Sequence, residues 1–283
     1  MVTIKIDGKK ISARSGENLL AVAKQNNIFI PSLCFHPKLT PTGACRLCIV
    51  KIKDQRGLVP ACTVSVSDGM EVTAFDAELE EARRYLLDYL LSEHNEASDK
   101  SYDDEFKSLV ARYGLDDPAK RQFPSLWKSL GYPIDDSSPV LTYDASKCVK
   151  CFRCIKACDE VQGKKVLSIA KRGITSYVIG GFGVWGESEC DGCGECIQLC
   201  PTGAIVEKPN REVLKTATAK SKVISTCPYC GVGCQIELKV RENRIVRVNG
   251  AEGLKPNDGR LCIKGRFGYD YVGSPDGLTR PLI

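Results

Sequence analysis

Two stretches, CVKCFRCIKAC from Cys148 to Cys158 and CDGCGECIQLCP from Cys190 to Pro201, share the spacing C-x2-C-x2-C-x3-C. Three cysteines at two-residue intervals on one loop can cap three irons of a cubane cluster, whereas structural zinc sites are built from cysteine pairs and have no use for a triplet. Where this run occurs twice in one domain, the fourth cysteine of each run ligates the other cluster. The predicted [4Fe-4S] sets are therefore Cys148, Cys151, Cys154 with Cys200, and Cys190, Cys193, Cys196 with Cys158. Asp159 stands where the first run would ordinarily carry proline, and only local effects are expected from it.

The chain of 283 residues holds 16 cysteines and 2 histidines, with 43% hydrophobic residues, a composition that supports two or three packed domains. Such a cysteine excess means disulfides, zinc or iron–sulfur clusters. The start, MVTIKIDGKK, alternates like a strand and shows no leader pattern. A cytoplasmic location follows as an expectation, and in a reducing compartment thiols bind metal rather than cross-link. The longest uncharged stretch, Gly173 to Gly186, is glycine-rich and too short to span a membrane. The formal charge of +5 counts cysteines as neutral. Each oxidised cluster with its thiolates carries roughly −2, so four of them make the loaded chain slightly negative. No basic stripe with interleaved aromatics is present, and nucleic acid is not an expected partner.

Upstream, Val2, Ile4 and Ile6 alternate into an Asp7-Gly8 turn, a second strand and a helix over Asn18 to Gln25. Further strands are predicted at Ile49 to Lys53 and at Val64 to Val66. Cys34, Cys45, Cys48 and Cys62 fall between these elements, with Gly43 and Ala44 offering backbone N–H groups to sulfur. Their C-x10-C-x2-C-x13-C spacing differs from the plant-type pattern. It resembles the N-terminal [2Fe-2S] domain shared by the large iron–sulfur subunit of complex I, iron-only hydrogenases and NAD-linked formate dehydrogenases. A zinc site is the alternative, disfavoured by the unequal loops. From Ala77 to Glu93 the residues Leu79, Ala82, Leu86, Tyr89 and Leu90 suggest an amphipathic helix, and a proline-broken connector follows to about residue 140.

Downstream of a Lys/Thr/Ala/Ser linker at 210–222, Cys227, Cys230, Cys234 and Cys262 lie in CPYCGVGC and GRLCIKGRFG, around strands predicted at Gln235 to Val240 and Arg244 to Val248. This pattern is similar to the [4Fe-4S] domain that opens molybdenum/tungsten bis-pterin oxidoreductases, formate dehydrogenases especially. The resemblance implies that Lys264, two residues after Cys262, bridges cluster and pterin in the electron path; as a surface lysine it would be unremarkable. Most such relatives also bind a [4Fe-4S] cluster through a histidine and three cysteines. His94 is at the right distance, but Ser98 and Ser101 supply no thiolate, so that cluster is expected to be lost and His94 to be a surface or helix-end residue.

The resemblance thus implies an α+β chain: a β-grasp [2Fe-2S] domain (1–76), a helical connector (77–140), a two-[4Fe-4S] ferredoxin-like domain (141–209), and a small [4Fe-4S] domain of the molybdopterin oxidoreductase type (222–283). All sixteen cysteines are assigned to iron, in one [2Fe-2S] and three [4Fe-4S] clusters. The function implied is that of an electron-transfer subunit or segment of a formate dehydrogenase or CO2 reductase. Its Mo/W bis-pterin would sit on a partner or on further domains, because the pterin-binding and catalytic residues do not follow the SPDGLTRPLI tail. The implied partners are that catalytic subunit and an NAD-linked flavoprotein diaphorase or a ferredoxin. The rival readings are an iron–sulfur subunit of an NADH dehydrogenase or hydrogenase diaphorase, and a zinc-stabilised interaction scaffold.

Overall fold

The structure, a computed structural model, describes residues 1–96, 104–208 and 221–277. Ser98, Ser101, most of the expected linker and the end of the tail lie outside the described residues.

Strands β1 (Val2–Ile6) and β2 (Lys9–Ala13) form the expected hairpin, with Asp7 and Gly8 both at positive φ as a tight hairpin turn requires. Helix α1 (Leu19–Gln25) is capped by Asn18, whose side chain accepts the Ala21 N–H. With β3 (Ile49–Ile52), β4 (Val59–Pro60) and β5 (Glu71–Thr73) the hairpin completes a five-stranded sheet in the order β2-β1-β5-β3-β4. Only β1 and β5 run parallel. Ile4, Ile6, Leu19, Val22, Val50 and Val72 fill the space between sheet and helix. Val64 to Val66, predicted as a strand, is not in this ladder. Its backbone bonds go to the entry of α1 instead, Val64 O accepting from Leu19 N and Val66 N donating to Glu17 O. The sheet position belongs to Glu71–Thr73.

Helix α2 (Ala77–Ser92) starts at Asp76, which accepts the Leu79 N–H at 2.8 Å, and carries Glu78 and Glu80 in its first turn. The buried face is Leu79, Arg83, Leu87 and Leu91, one column away from the predicted stripe; Tyr89 is exposed. The helix is apolar over a wide arc, and Arg83 can turn inward because its guanidinium pairs with Glu80 and donates to Ile49 O. Helix α3 (Glu105–Arg112), capped by Asp104, sends Phe106, Leu109 and Val110 into a core shared with Leu33, Leu91 and Val149. The connector therefore packs between the first and third modules.

In the third module β7 (Leu141–Asp144) lies between β6 (Ile134–Asp135) and β10 (Ile205–Glu207). Two short helices, α4 (Arg153–Lys156) and α5 (Glu195–Gln198), lie within the two cysteine runs and carry the third cysteine of each, Cys154 and Cys196. The glycine-rich insertion is a hairpin of β8 (Leu167–Ala170) and β9 (Tyr177–Gly180), and after it Trp185 is buried with its ring stacked on Tyr143 at 5.7 Å. In the last module β11 (Ser221–Thr226), β12 (Gln235–Arg241) and β13 (Arg244–Gly250) form an antiparallel sheet. The first of these begins inside the stretch expected to be linker. Glu242 and Asn243, both at positive φ, make the predicted turn. Helix α6 (Ile263–Phe267) then docks on the third module, placing Phe267 in that module's core. No described helix is long and apolar enough to cross a membrane.

Trp185 joins the insertion to the sheet that supports both cysteine runs. Trp185→Ala should cost about 3 to 5 kcal/mol, measured as a lower denaturant midpoint by circular dichroism; a midpoint unchanged from wild type would show that the insertion does not stabilise the module.

Candidate metal centres

All sixteen cysteines are free thiols in four groups. In the first group Cys34 faces both Cys45 and Cys62, and Cys48 faces Cys62, while Leu33 N points at Cys45 Sγ from 3.4 Å. Sharing of protons within the group holds Cys34 and Cys48 below the usual thiol range and pushes Cys45 and Cys62 above it.

In the third module the two runs are interlocked. Burial is the main force raising Cys151 and Cys154; the next contributions come from Cys200 and Cys148 for Cys151, and from Cys151, Cys148 and Cys200 for Cys154. Cys196 is raised by burial and then by Cys193, Cys190 and Cys158. The fourth cysteine of each run thus faces the triplet of the other. Each loop turns through left-handed residues at matching positions, Lys150 and Phe152 in one run, Gly192 and Gly194 in the other. The first turn aims Lys150 N at Cys148 Sγ, and Val166 N, just before β8, points at Cys158 Sγ, both at 3.4 Å. In the last module Cys234 faces Cys227, Cys230 and Cys262.

The donor set fits iron–sulfur groups. Burial pushes Cys193 up to about 11 and Cys148, Cys151, Cys154 and Cys196 upward as well, so these thiols do not ionise by themselves at neutral pH. Metal binding displaces such protons and compensates the thiolate charge in a dry interior. Among the described residues no three His, Cys, Asp or Glu side chains are grouped as the shell of a single metal ion.

Three buried arginines that sequence reading did not single out hold the cysteine loops. Arg83 donates to Ile49 O beside Cys48, Arg153 to Phe35 O beside Cys34, and Arg266 to Cys193 O, at 2.6, 2.7 and 2.7 Å. Their neighbours are acidic: Glu105 holds Arg153 with both carboxylate oxygens and Glu195 pairs with Arg266. Gly194 is at φ +72°, and a Cβ there would lie 2.1 Å from Arg266 Cδ, so glycine serves both the turn and the docking. His36, two residues after Cys34, reaches Glu252 of the last module at 3.8 Å.

The last group differs from the others in exposure. Cys230 and Cys262 are exposed, as is Lys264, and Tyr229, Val232, Ile263, Tyr271 and Val272 form an apolar rim around them. His94, expected at a helix end or the surface, does follow α2 but is 4% exposed, packed edge-on against Phe106 at 4.8 Å with Nδ1 unpartnered.

Three known families match: a 2Fe-2S iron–sulfur cluster binding domain over residues 1–76, the ferredoxin-like domain of NADH-quinone oxidoreductase subunit 3 over 138–206, and the molybdopterin oxidoreductase Fe4S4 domain over 220–274. An NADH-quinone oxidoreductase subunit of Rhizobium meliloti (strain 1021) is 32% identical over 286 residues, covering 100% of this chain and 33% of that protein. The alpha subunit of an NADPH-Fe(3+) oxidoreductase of Geobacter sulfurreducens is 33% identical, with the same coverage. A crystal structure of an NAD+-reducing [NiFe]-hydrogenase in the H2-reduced state superposes with a TM-score of 0.65 at 28% identity, covering 74% of this chain and 88% of that one. The matched stretches are similar to the iron–sulfur domains of NADH-quinone oxidoreductase and NAD-reducing hydrogenase proteins. Both 2Fe-2S and 4Fe-4S domains are present, in a mixed α/β chain. The chain spans about a third of the length of the two curated relatives. Of the three matched domains, the molybdopterin oxidoreductase Fe4S4 domain is the one that presents the exposed cysteines and the apolar rim.

Burial lowers His94 from the usual 6.5 to about 4. The unfolded chain takes up a proton as pH falls through 6.5 and the folded chain does not until about 4, so stability present above 6.5 is lost between those values. His94→Phe should remove that loss. Its stability relative to wild type should rise by on the order of 2 to 3 kcal/mol between pH 7 and pH 4. An equal pH dependence for both proteins in urea unfolding would contradict a neutral, buried His94.

Proposed function

We propose that the chain is the iron–sulfur electron-transfer portion of an NADH- or NADPH-linked oxidoreductase or hydrogenase complex. The observation that carries this is the succession of four cysteine groups through modules whose cores are shared at their junctions, Cys34 and Cys45 with Cys151 in one and Phe267 with Cys154 and Cys196 in the next, ending at an exposed group with an apolar rim. In this reading Cys34, Cys45, Cys48 and Cys62 hold a [2Fe-2S] cluster. Cys148, Cys151, Cys154 with Cys200, Cys190, Cys193, Cys196 with Cys158, and Cys227, Cys230, Cys234 with Cys262 hold three [4Fe-4S] clusters. The thiol groupings described above support those sets. When bound, such clusters supply one-electron transfer between neighbours. The protein's residues set the order, insulate the buried groups from water, and present N–H donors to sulfur.

Relatives named for NADH and NADPH support this reading over the formate dehydrogenase that the cysteine motifs alone favour, which remains the second reading. That second reading rests on CPYCGVGC, the Fe4S4 domain match and Lys264, which would face a pterin across the exposed rim. The partners in the first reading are a nucleotide-binding flavoprotein and a catalytic unit seated on the rim.

Anaerobic isolation of the complex with metal analysis separates the two. A flavoprotein that reduces the chain with NADH or NADPH, without molybdenum or tungsten, fits the first reading, and a stoichiometric pterin metal with formate-dependent reduction fits the second. Cys193→Ser should abolish one [4Fe-4S] signal and electron delivery to the distal acceptor. Full delivery with that signal missing would contradict a linear relay.

A further inference from the structure

At each of the two junctions between cluster-bearing modules, a buried arginine from a cysteine segment of one module donates to a backbone carbonyl in a cysteine loop of the next; at the second junction the buried Arg247 of β13 also reaches Ile197 O, at the longer distance of 3.5 Å. Arg153 lies between Cys151 and Cys154 in the chain. Its Nη2 donates to Phe35 O, one residue from Cys34, at 2.7 Å, and its side chain is 4% exposed. Arg266 donates its backbone N–H to Cys262 O at 3.1 Å and its Nε to Cys193 O at 2.7 Å. Between the two runs of the third module no such residue is needed, because Cys158 and Cys200 already cross from one group to the other.

Docking alone does not require this construction. The junctions are also closed by Thr40 N to Glu160 and the reciprocal bonds between Gln198 and Gly250, which involve no buried cation, and Arg247, the other buried arginine there, meets Ile197 O only at 3.5 Å. A guanidinium is costly to bury. Here each one is buried with its charge directed at a cysteine loop and countered by one carboxylate, Glu105 or Glu195.

We propose that Arg153 and Arg266 are the electron bridges of the two junctions: positioning residues that complete a hydrogen-bonded route between neighbouring cysteine groups and raise the potential of the cluster whose loop they hold. This rests on the relay reading above. With clusters bound, one electron would pass from a reduced cluster to its oxidised neighbour, with no bond formed or broken. The continuous path is Cys34, Phe35 C=O, the Arg153 guanidinium and main chain, then Cys151 or Cys154. At the other junction it is Cys193 C=O, Arg266, then Cys262. A nearby positive charge favours the more negative, reduced cluster, which raises its potential.

The test uses the iron-loaded full chain, photoreduced and freeze-quenched, with EPR following redistribution of the electron between the [2Fe-2S] and [4Fe-4S] signals. Arg153→Met, with wild-type iron content, should slow redistribution to the [2Fe-2S] signal about ten-fold and lower the [2Fe-2S] midpoint. Arg153→Lys should restore the midpoint more than the rate, because one amine keeps the charge but not the fork. Arg266→Met should slow exchange with the last [4Fe-4S] group and leave the [2Fe-2S] rate alone, and it carries the test if Arg153→Met fails to assemble. Arg121→Met, which breaks a connector ion pair with Glu96, is the control for general loosening and should leave both rates unchanged. Wild-type rates and midpoints in both methionine variants, or equal slowing in the Arg121 control, would overturn the bridge alone. No redistribution in the wild-type chain would overturn the relay reading and the bridge with it.

Discussion

A thiolate is unstable in an interior as dry as the one around Cys148, Cys151, Cys154 and Cys196, and the local structure answers that constraint. Backbone N–H groups are turned inward by left-handed residues at matching places in the two runs, Lys150 and Phe152 against Gly192 and Gly194. Holding Lys150 and Phe152 there costs on the order of 1 kcal/mol each, which the surrounding packing offsets. Lys150 is in turn fixed by Glu93 and by the Tyr132 hydroxyl, and Arg153 by Glu105. The cysteine loops are therefore positioned by residues of other modules as much as by their own.

That dependence explains the compactness of the chain's interior. The connector is packed between the first cysteine group and the third module, with Phe106 reaching His94 on one side and the backbone of Pro201 on the other. Phe267 of the last module is part of the third module's core. Among the described residues the exposed cysteines are Cys230 and Cys262 of the last group, and its rim of Tyr229, Val232, Ile263, Tyr271 and Val272 is the surface on which the proposed function places a catalytic unit.

What sequence alone revealed was local. The cysteine spacing, the Asp7-Gly8 and Glu242-Asn243 turns, α1 and the span of α2 depend on residues close together in the chain, and each is present. The misses came from distant partners. Val64 to Val66 has a strand's composition, but its hydrogen bonds are taken by the start of α1. The buried face of α2 shifted because Arg83 found a carbonyl at Ile49. His94 is hidden because Phe106 covers it. The three arginines carried no local mark beyond their nearness to cysteines. Alignment of the two runs could have shown Lys150 and Phe152 as left-handed positions, since glycines fill the equivalent places in the second run.

The central claim, that all sixteen cysteines hold iron in one two-iron and three four-iron clusters, is tested most directly by iron and acid-labile sulfide analysis of the anaerobically purified chain. The account predicts about fourteen irons and a matching amount of sulfide per chain. About four zinc ions per chain with no labile sulfide would contradict it.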